Sequence, residues 1–168
     1  MKRLLAAMGV TVMLVLATAP ASTQASPRID IRVCRDVTIR DLGSQGTEAV
    51  PTGCAREFSI SLPYVVMFFE IADIDTQGQF QWQLLDPTDT AVATFSQRLD
   101  PQGGYTWTYF YYAVLPIAAT REEIIAQNPR LGFAAINPTK PAKENPGEWK
   151  LRAVFSGLTV TGRFVLKP

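Results

Sequence analysis

The C-terminal segment constrains the fold most. In Glu148–Leu166, the apolar residues Trp149, Leu151, Ala153 and Phe155 fall at alternate positions, with Lys150 and Arg152 between them. Period-two alternation marks a strand with one buried face. Ser156-Gly157 then supplies a two-residue hairpin turn, and Leu158–Leu166 returns as a second strand. The rest of the chain carries further strand signals.

Ile29, Ile31, Val33, Val37 and Ile39 alternate with Asp30, Arg32, Asp36, Thr38 and Arg40, which predicts a strand with one wet face. Residues 42–47, with Gly43 and Gly46, read as a loop. Phe58, Ile60 and Leu62 alternate with Ser59 and Ser61 and stop at Pro63. Tyr64–Ile71 is almost wholly apolar and rich in β-branched and aromatic residues, the composition of a central strand covered on both faces. Gln79–Leu84 alternates Gln with Phe80, Trp82 and Leu84. Asp86-Pro87-Thr88-Asp89 is a turn, because Pro presets φ and Asp side chains cap backbone groups. A strand returns over Ala91–Phe95, Asp100–Gly104 turns, and Tyr105–Leu115 is expected to be the longest strand.

One short helix is expected. Thr120-Arg121-Glu122-Glu123 has the form of a capping box, Ile124 and Ile125 can dock on the core, and Asn128-Pro129 stops it. Residues 137–147, with Pro138, Pro141, Pro146, Lys140 and Lys143, read as a solvated loop. The sum is seven or eight short strands with turn signals every 8–12 residues or so, which predicts an all-β sandwich. The tail Pro146-Gly147-Glu148-Trp149, Phe155-Ser156-Gly157 and Phe164-Val165-Leu166 resembles the closing strands of bacterial immunoglobulin-like or fibronectin type III-like modules. The resemblance implies an immunoglobulin-like β-sandwich and carries no active site with it. It does not extend to residues 29–57.

The front of the chain predicts export. Lys2 and Arg3 precede the uncharged run Leu4–Leu16, which is shorter than the roughly 20 residues of a membrane span. Small residues follow, and they favour cleavage after Ala25, with Ala21 as the alternative. The expected organisation is a secretory signal over 1–25, then strands and a disulfide loop over 26–57 and a sandwich body over 58–168, forming one domain together. About 143 residues suffice for one domain with a real core. Without Lys2 and Arg3 the 16 basic residues fall to 14 against 15 acidic ones, a net charge of −1. Such a surface gives no electrostatic reason to bind nucleic acid or anionic lipid. No second apolar run approaches membrane length, so a secreted or periplasmic protein is expected, with no integral membrane segment after signal cleavage. In that oxidising setting Cys34 and Cys54 are expected to form a disulfide.

The chain has no histidine. That removes the Ser-His-Asp triad, the Cys-His pair and His-ligated zinc. No Gly-rich phosphate loop precedes a helix, and Ser156 does not sit in a nucleophile elbow. A non-catalytic protein without a cofactor is the expectation. Tyr105, Trp107, Tyr109 and Tyr111 share one face of a strand, with alternate rings roughly 6.8 Å apart, comparable with the spacing of sugars along a polysaccharide. They read either as a sugar-stacking or protein-docking stripe or as core. Glu70, Asp73 and Asp75 form an acidic cluster, but a strand places Glu70 opposite the other two, unlike a glycosidase pair. Asp73, Asp75 and Gln77 partly match a calcium loop, although Leu84 stands where its bidentate Glu belongs. The expected partner is an envelope or extracellular protein, or else a polysaccharide.

Overall fold

The computed structural model describes residues 13–15, 26–41, 47–102, 105–138 and 141–168. Its strands in chain order are β1 (Met13–Val15), β2 (Arg28–Cys34), β3 (Asp36–Asp41), β4 (Thr47–Thr52), β5 (Glu57–Ser59), β6 (Tyr64–Ile74), β7 (Gly78–Leu85), β8 (Ala91–Leu99), β9 (Trp107–Pro116), β10 (Gly147–Phe155) and β11 (Leu158–Lys167). Two helices, α1 (Arg121–Gln127) and α2 (Pro129–Phe133), lie between β9 and β10.

The strands form three sheets. One has the order β1-β9-β6-β2, the second β5-β11-β10-β7-β8, and β3 pairs with β4 alone. The two larger sheets face each other across one core. Met67, Phe69 and Ile71 of β6 and Tyr111 and Leu115 of β9 meet Phe80 and Trp82 of β7, Trp149 and Phe155 of β10, and Phe164 of β11. The other face of the first sheet is also covered. Val66 and Phe68 of β6 and Tyr112 and Val114 of β9 pack on Val37, Ala49, Ile124 and Leu131, which come from β3, β4 and the two helices. The expectation of a strand with both faces covered at residue 64 onward therefore holds, and β6, at 11 residues, is longer than β9 at 10.

A bulge near the end of β6 keeps its facing consistent. The register with β9 runs from Ile71↔Tyr109 to Ile74↔Trp107, so β6 carries one extra residue. Ile71 and Ile74 thus face the same core despite odd spacing. Asp73 takes the strained position, with φ of 59°, and its carboxylate accepts from Arg28 Nε at 2.9 Å.

The C-terminal hairpin forms as its sequence requires. Trp149, Leu151, Ala153 and Phe155 are buried, and Ser156 and Gly157 both have positive φ. That is the backbone of a type I′ turn, whose twist matches the flanking strands. Trp149 stacks on Phe164 and donates from Nε1 to the carbonyl of Asn145 at 3.1 Å. Asn145 in turn donates to Asp86, whose other carboxylate oxygen accepts from the hydroxyl and amide of Thr88 and the amide of Thr90. The Thr88 hydroxyl is the largest influence holding Asp86 below the usual carboxylate pKa, against the opposing effect of burial.

Several expectations need correction. Among the described residues eleven strands replace seven or eight, and two α-helices, with a 3-10 turn at Ala142–Glu144, replace one helix. The single strand predicted from Ile29 to Ile39 is two, broken at Arg35, whose amide turns to Thr52 and Gly53. Beside that break Cys34 and Cys54 are joined in the expected disulfide, a closure of 20 residues that contributes roughly 3 kcal/mol in the chain-entropy account. The capping box at Thr120 and Glu123 is present, but Asn128-Pro129 does more than stop α1. Asn128 caps α2 and Pro129 occupies its first turn. Gly132 allows α2 to lie against α1, since a Cβ there would meet Ile125 Cα at 2.4 Å. The strand predicted through Leu62 pairs only over Glu57–Ser59, running parallel to β11. Part of the loop predicted over 42–47 lies outside the described residues, as do Gly103 and Gly104 of the Asp100–Gly104 turn.

Removing the ring at the centre of the hairpin tests this packing. Trp149→Ala should cost about 3–5 kcal/mol in denaturant unfolding. A loss under about 1 kcal/mol would contradict the burial of that ring.

Candidate functional site

Strand β9 has the most aromatic sequence of any strand, with Trp107, Tyr109, Phe110, Tyr111 and Tyr112. Its alternation sends successive rings to opposite faces. Phe110 and Tyr112 turn toward the helices, and Phe110 lies 5.8 Å from Phe68 between ring centres. Tyr109 and Tyr111 turn into the sandwich. Tyr111 is fully buried and stacks on Phe80 at 5.1 Å. Burial, with a smaller contribution from Tyr109, pushes its phenol pKa far up, and its hydroxyl has no hydrogen-bond partner.

The four residues predicted as a stripe are therefore not one open surface. Tyr109 is 6% exposed and Tyr111 0%, whereas Tyr105 is 48% exposed. Trp107 is partly buried and packs against Tyr109, and its Nε1 donates to the carbonyl of Gln102 at 2.9 Å. Two rings, Tyr105 and Trp107, remain where a ligand could reach them. The physical reason is that this face of β9 is needed to close the sandwich over β7.

The acidic cluster is likewise divided. Glu70 accepts from Arg32 at 2.7 Å, and Asp73 from Arg28. The Arg32 guanidinium also stands over the Phe68 ring, 5.3 Å from its centre. Among the described residues, no group of three acidic or thiol side chains is placed to hold a metal ion. Asp73 lies within the β6 bulge, where it serves the turn of the backbone and the ion pair with Arg28, and Asp75 and Gln77 follow it.

The feature missed by sequence reasoning is a groove on the open side of the sandwich. It has a volume of about 490 Å³ and runs between β8 and residues 133–137. Trp82, Phe95, Ala113 and Ile136 line it, and Phe133 stands at its rim, 61% exposed. Arg121 Nε donates to the carbonyl of Ala135 at 3.2 Å and fixes the far wall. That wall also joins the sheet. Val114 donates from its amide to Ala134 and accepts at its carbonyl from Ile136. The available signal was Phe133 itself, an aromatic residue just before the chain leaves a helix too short to bury it. Charged side chains, among them Asp30, Arg32, Arg56 and Arg163, line a second groove of about 570 Å³ along β2 and β11, where Arg32 pairs with Asp30.

The chain matches no family model and no curated protein sequence. Among the described residues, no helix is long and apolar enough to cross a membrane.

The orphaned hydroxyl of Tyr111 gives a direct check on this site. Replacing it by Phe removes a buried group that makes no bond, so Tyr111→Phe should leave stability unchanged or raise it by about 1–2 kcal/mol. A loss of more than about 1 kcal/mol in denaturant unfolding would mean that the hydroxyl is bonded.

Proposed function

We propose that this chain is an exported, non-catalytic β-sandwich module that docks another envelope or extracellular protein. The observation that carries the reading is Phe133, an exposed ring at the rim of an apolar groove. Exposed apolar surface marks interaction sites, and concave apolar grooves are where ligands seat. The N-terminal sequence and the disulfide support export, with residues 1–25 as the signal and the secreted or periplasmic space as destination. The tail that resembles immunoglobulin-like and fibronectin type III-like modules supports assigning the sandwich to that class. The lack of histidine, and the engagement of Glu70 and Asp73 in ion pairs, support a role without catalysis.

Carbohydrate binding is the second reading. Tyr105 and Trp107 are its remaining support, since they stay accessible beside the buried Tyr109 and Tyr111.

A photo-crosslinking residue placed at position 133 of the full chain distinguishes the two. In an envelope extract it should trap one dominant protein partner, and Phe133→Asp should abolish capture in a competing pull-down without lowering the melting temperature. Capture equal for parent and Phe133→Asp would contradict docking at this groove. Retention on insoluble polysaccharide that is lost in Trp107→Ala, with no protein trapped, would favour the carbohydrate reading.

A further inference from the structure

The outer edge of β9 is held in two different ways along its length. Near its C-terminal end, Val114 exchanges both backbone hydrogen bonds with Ala134 and Ile136. Those bonds show that the backbone N–H and C=O of Val114 point away from β6. Alternate residues on a strand point the same way, so the backbone groups of Thr108, Phe110 and Tyr112 also face outward. The residues covering Thr108 and Phe110 come from far away in sequence. Strand β1 pairs antiparallel with β9, Met13 opposite Phe110 and Val15 opposite Thr108.

Strand β1 is only three residues long, and it lies within the apolar run Leu4–Leu16. The core residues of the described sandwich begin at Ile29. The run thus contributes a strand to the edge of a sheet whose described interior is built from later residues. It also has the composition of a segment meant for removal, with Lys2 and Arg3 in front and small residues behind. An uncovered strand edge is a template for pairing with another chain. The groove between β8 and residues 133–137 takes in Ala113, the residue of β9 that follows Tyr112 along the chain.

We infer that the outer edge of β9 over Thr108–Tyr112 is a strand-acceptor site, occupied at Thr108 and Phe110 by the chain's own Met13–Val15 until the N-terminal segment is removed, and then by an extended apolar segment of a partner protein running antiparallel to β9. The mode is strand addition, in which main-chain hydrogen bonds supply affinity. The β1 pairing defines what fits. The segment must be extended, and it must offer N–H and C=O groups at alternate positions, which rules out proline at those positions. The inference rests on the reading of this chain as an exported docking module and names the edge at which a partner strand enters.

The test uses the full chain carrying Val15→Pro, which removes the amide that faces Thr108. Hydrogen exchange resolved to single residues should show the Thr108 and Phe110 amides losing protection at least tenfold. Tyr109 and Tyr111, which point to β6, should not change. A synthetic peptide of the sequence Val10–Ala17, with lysines added at its ends for solubility, should restore protection at Thr108 and Phe110 with one-to-one stoichiometry. Thr108→Pro in the same chain should bind the peptide at least tenfold more weakly. No protection by the peptide, or equal binding to Thr108→Pro, would overturn the site. Protection of the same amides by concentration-dependent dimerisation, without peptide, would overturn the partner strand in favour of a second copy. Should Val15→Pro fail to fold, the parent chain is cut at a protease site introduced between residues 18 and 25. Retention of the released N-terminal fragment, and its displacement by the peptide, then supports the site, and prompt loss of the fragment with no peptide binding overturns it. N-terminal sequencing of the exported protein separates the two readings. A start at Met1 would retire the removal step and leave the acceptor result standing.

Discussion

The fold depends on one strand being buried on both faces. β6 presents Met67, Phe69 and Ile71 to the sandwich and Val66 and Phe68 to the layer made by β3, β4 and the helices. Strands of this kind cannot be wetted on either side, so neither layer is an optional addition. The same requirement extends to β9, whose rings divide between Tyr109 and Tyr111 on one face and Phe110 and Tyr112 on the other. An aromatic strand used in this way is structural. It has little left for ligands, which is why the accessible apolar surface lies at the edges, at Phe133 and along the groove beside β8.

The edges follow from that arrangement. On one side β2 and β11 approach closely, since a Cβ on Gly162 would meet Ile31 at 2.8 Å. On the other side the sheets stay apart, and the gap is walled by β8 and by residues 134–136, which extend the first sheet beyond β9. On that side β1 pairs with the outer edge of β9 at Thr108 and Phe110. The disulfide lies elsewhere, at the junction where the chain leaves β2 and starts β3, and it ties the small hairpin to the first sheet.

Much of this was legible in local pattern. The alternation in Gln79–Leu84 placed Phe80, Trp82 and Leu84 inward, and the apolar run from Tyr64 announced a strand with two covered faces. Ser156-Gly157 fixed the hairpin register because both residues take positive φ. Other features depended on partners distant in sequence, which local pattern does not carry. From Ile29 to Ile39 the alternation lapses only at Arg35 and resumes in phase at Val37, yet Ile29 pairs into one sheet and Ile39 into another. Alternation reports which face a residue takes and says nothing of which sheet it joins. Asn128-Pro129 reads equally as a stop or a start, and here it is both. The stripe from Tyr105 to Tyr111 had the right spacing for sugar rings, but spacing cannot reveal that Phe80 would occupy the same space. The groove escaped notice because its walls are assembled from β7, β8, β9 and the segment after α2.

The central claim is that β6 fuses the two layers into one cooperative unit. Phe68 faces only the helical layer, whereas the tryptophans Trp82 and Trp149 sit only in the sandwich. Denaturant unfolding of Phe68→Ala, followed by tryptophan fluorescence and by far-UV circular dichroism, therefore tests it directly. The account predicts a single transition, coincident by both probes, destabilised by about 3–5 kcal/mol. A fluorescence transition unchanged from the parent, with a separate earlier loss of dichroism, would show that the layers unfold independently and would contradict it.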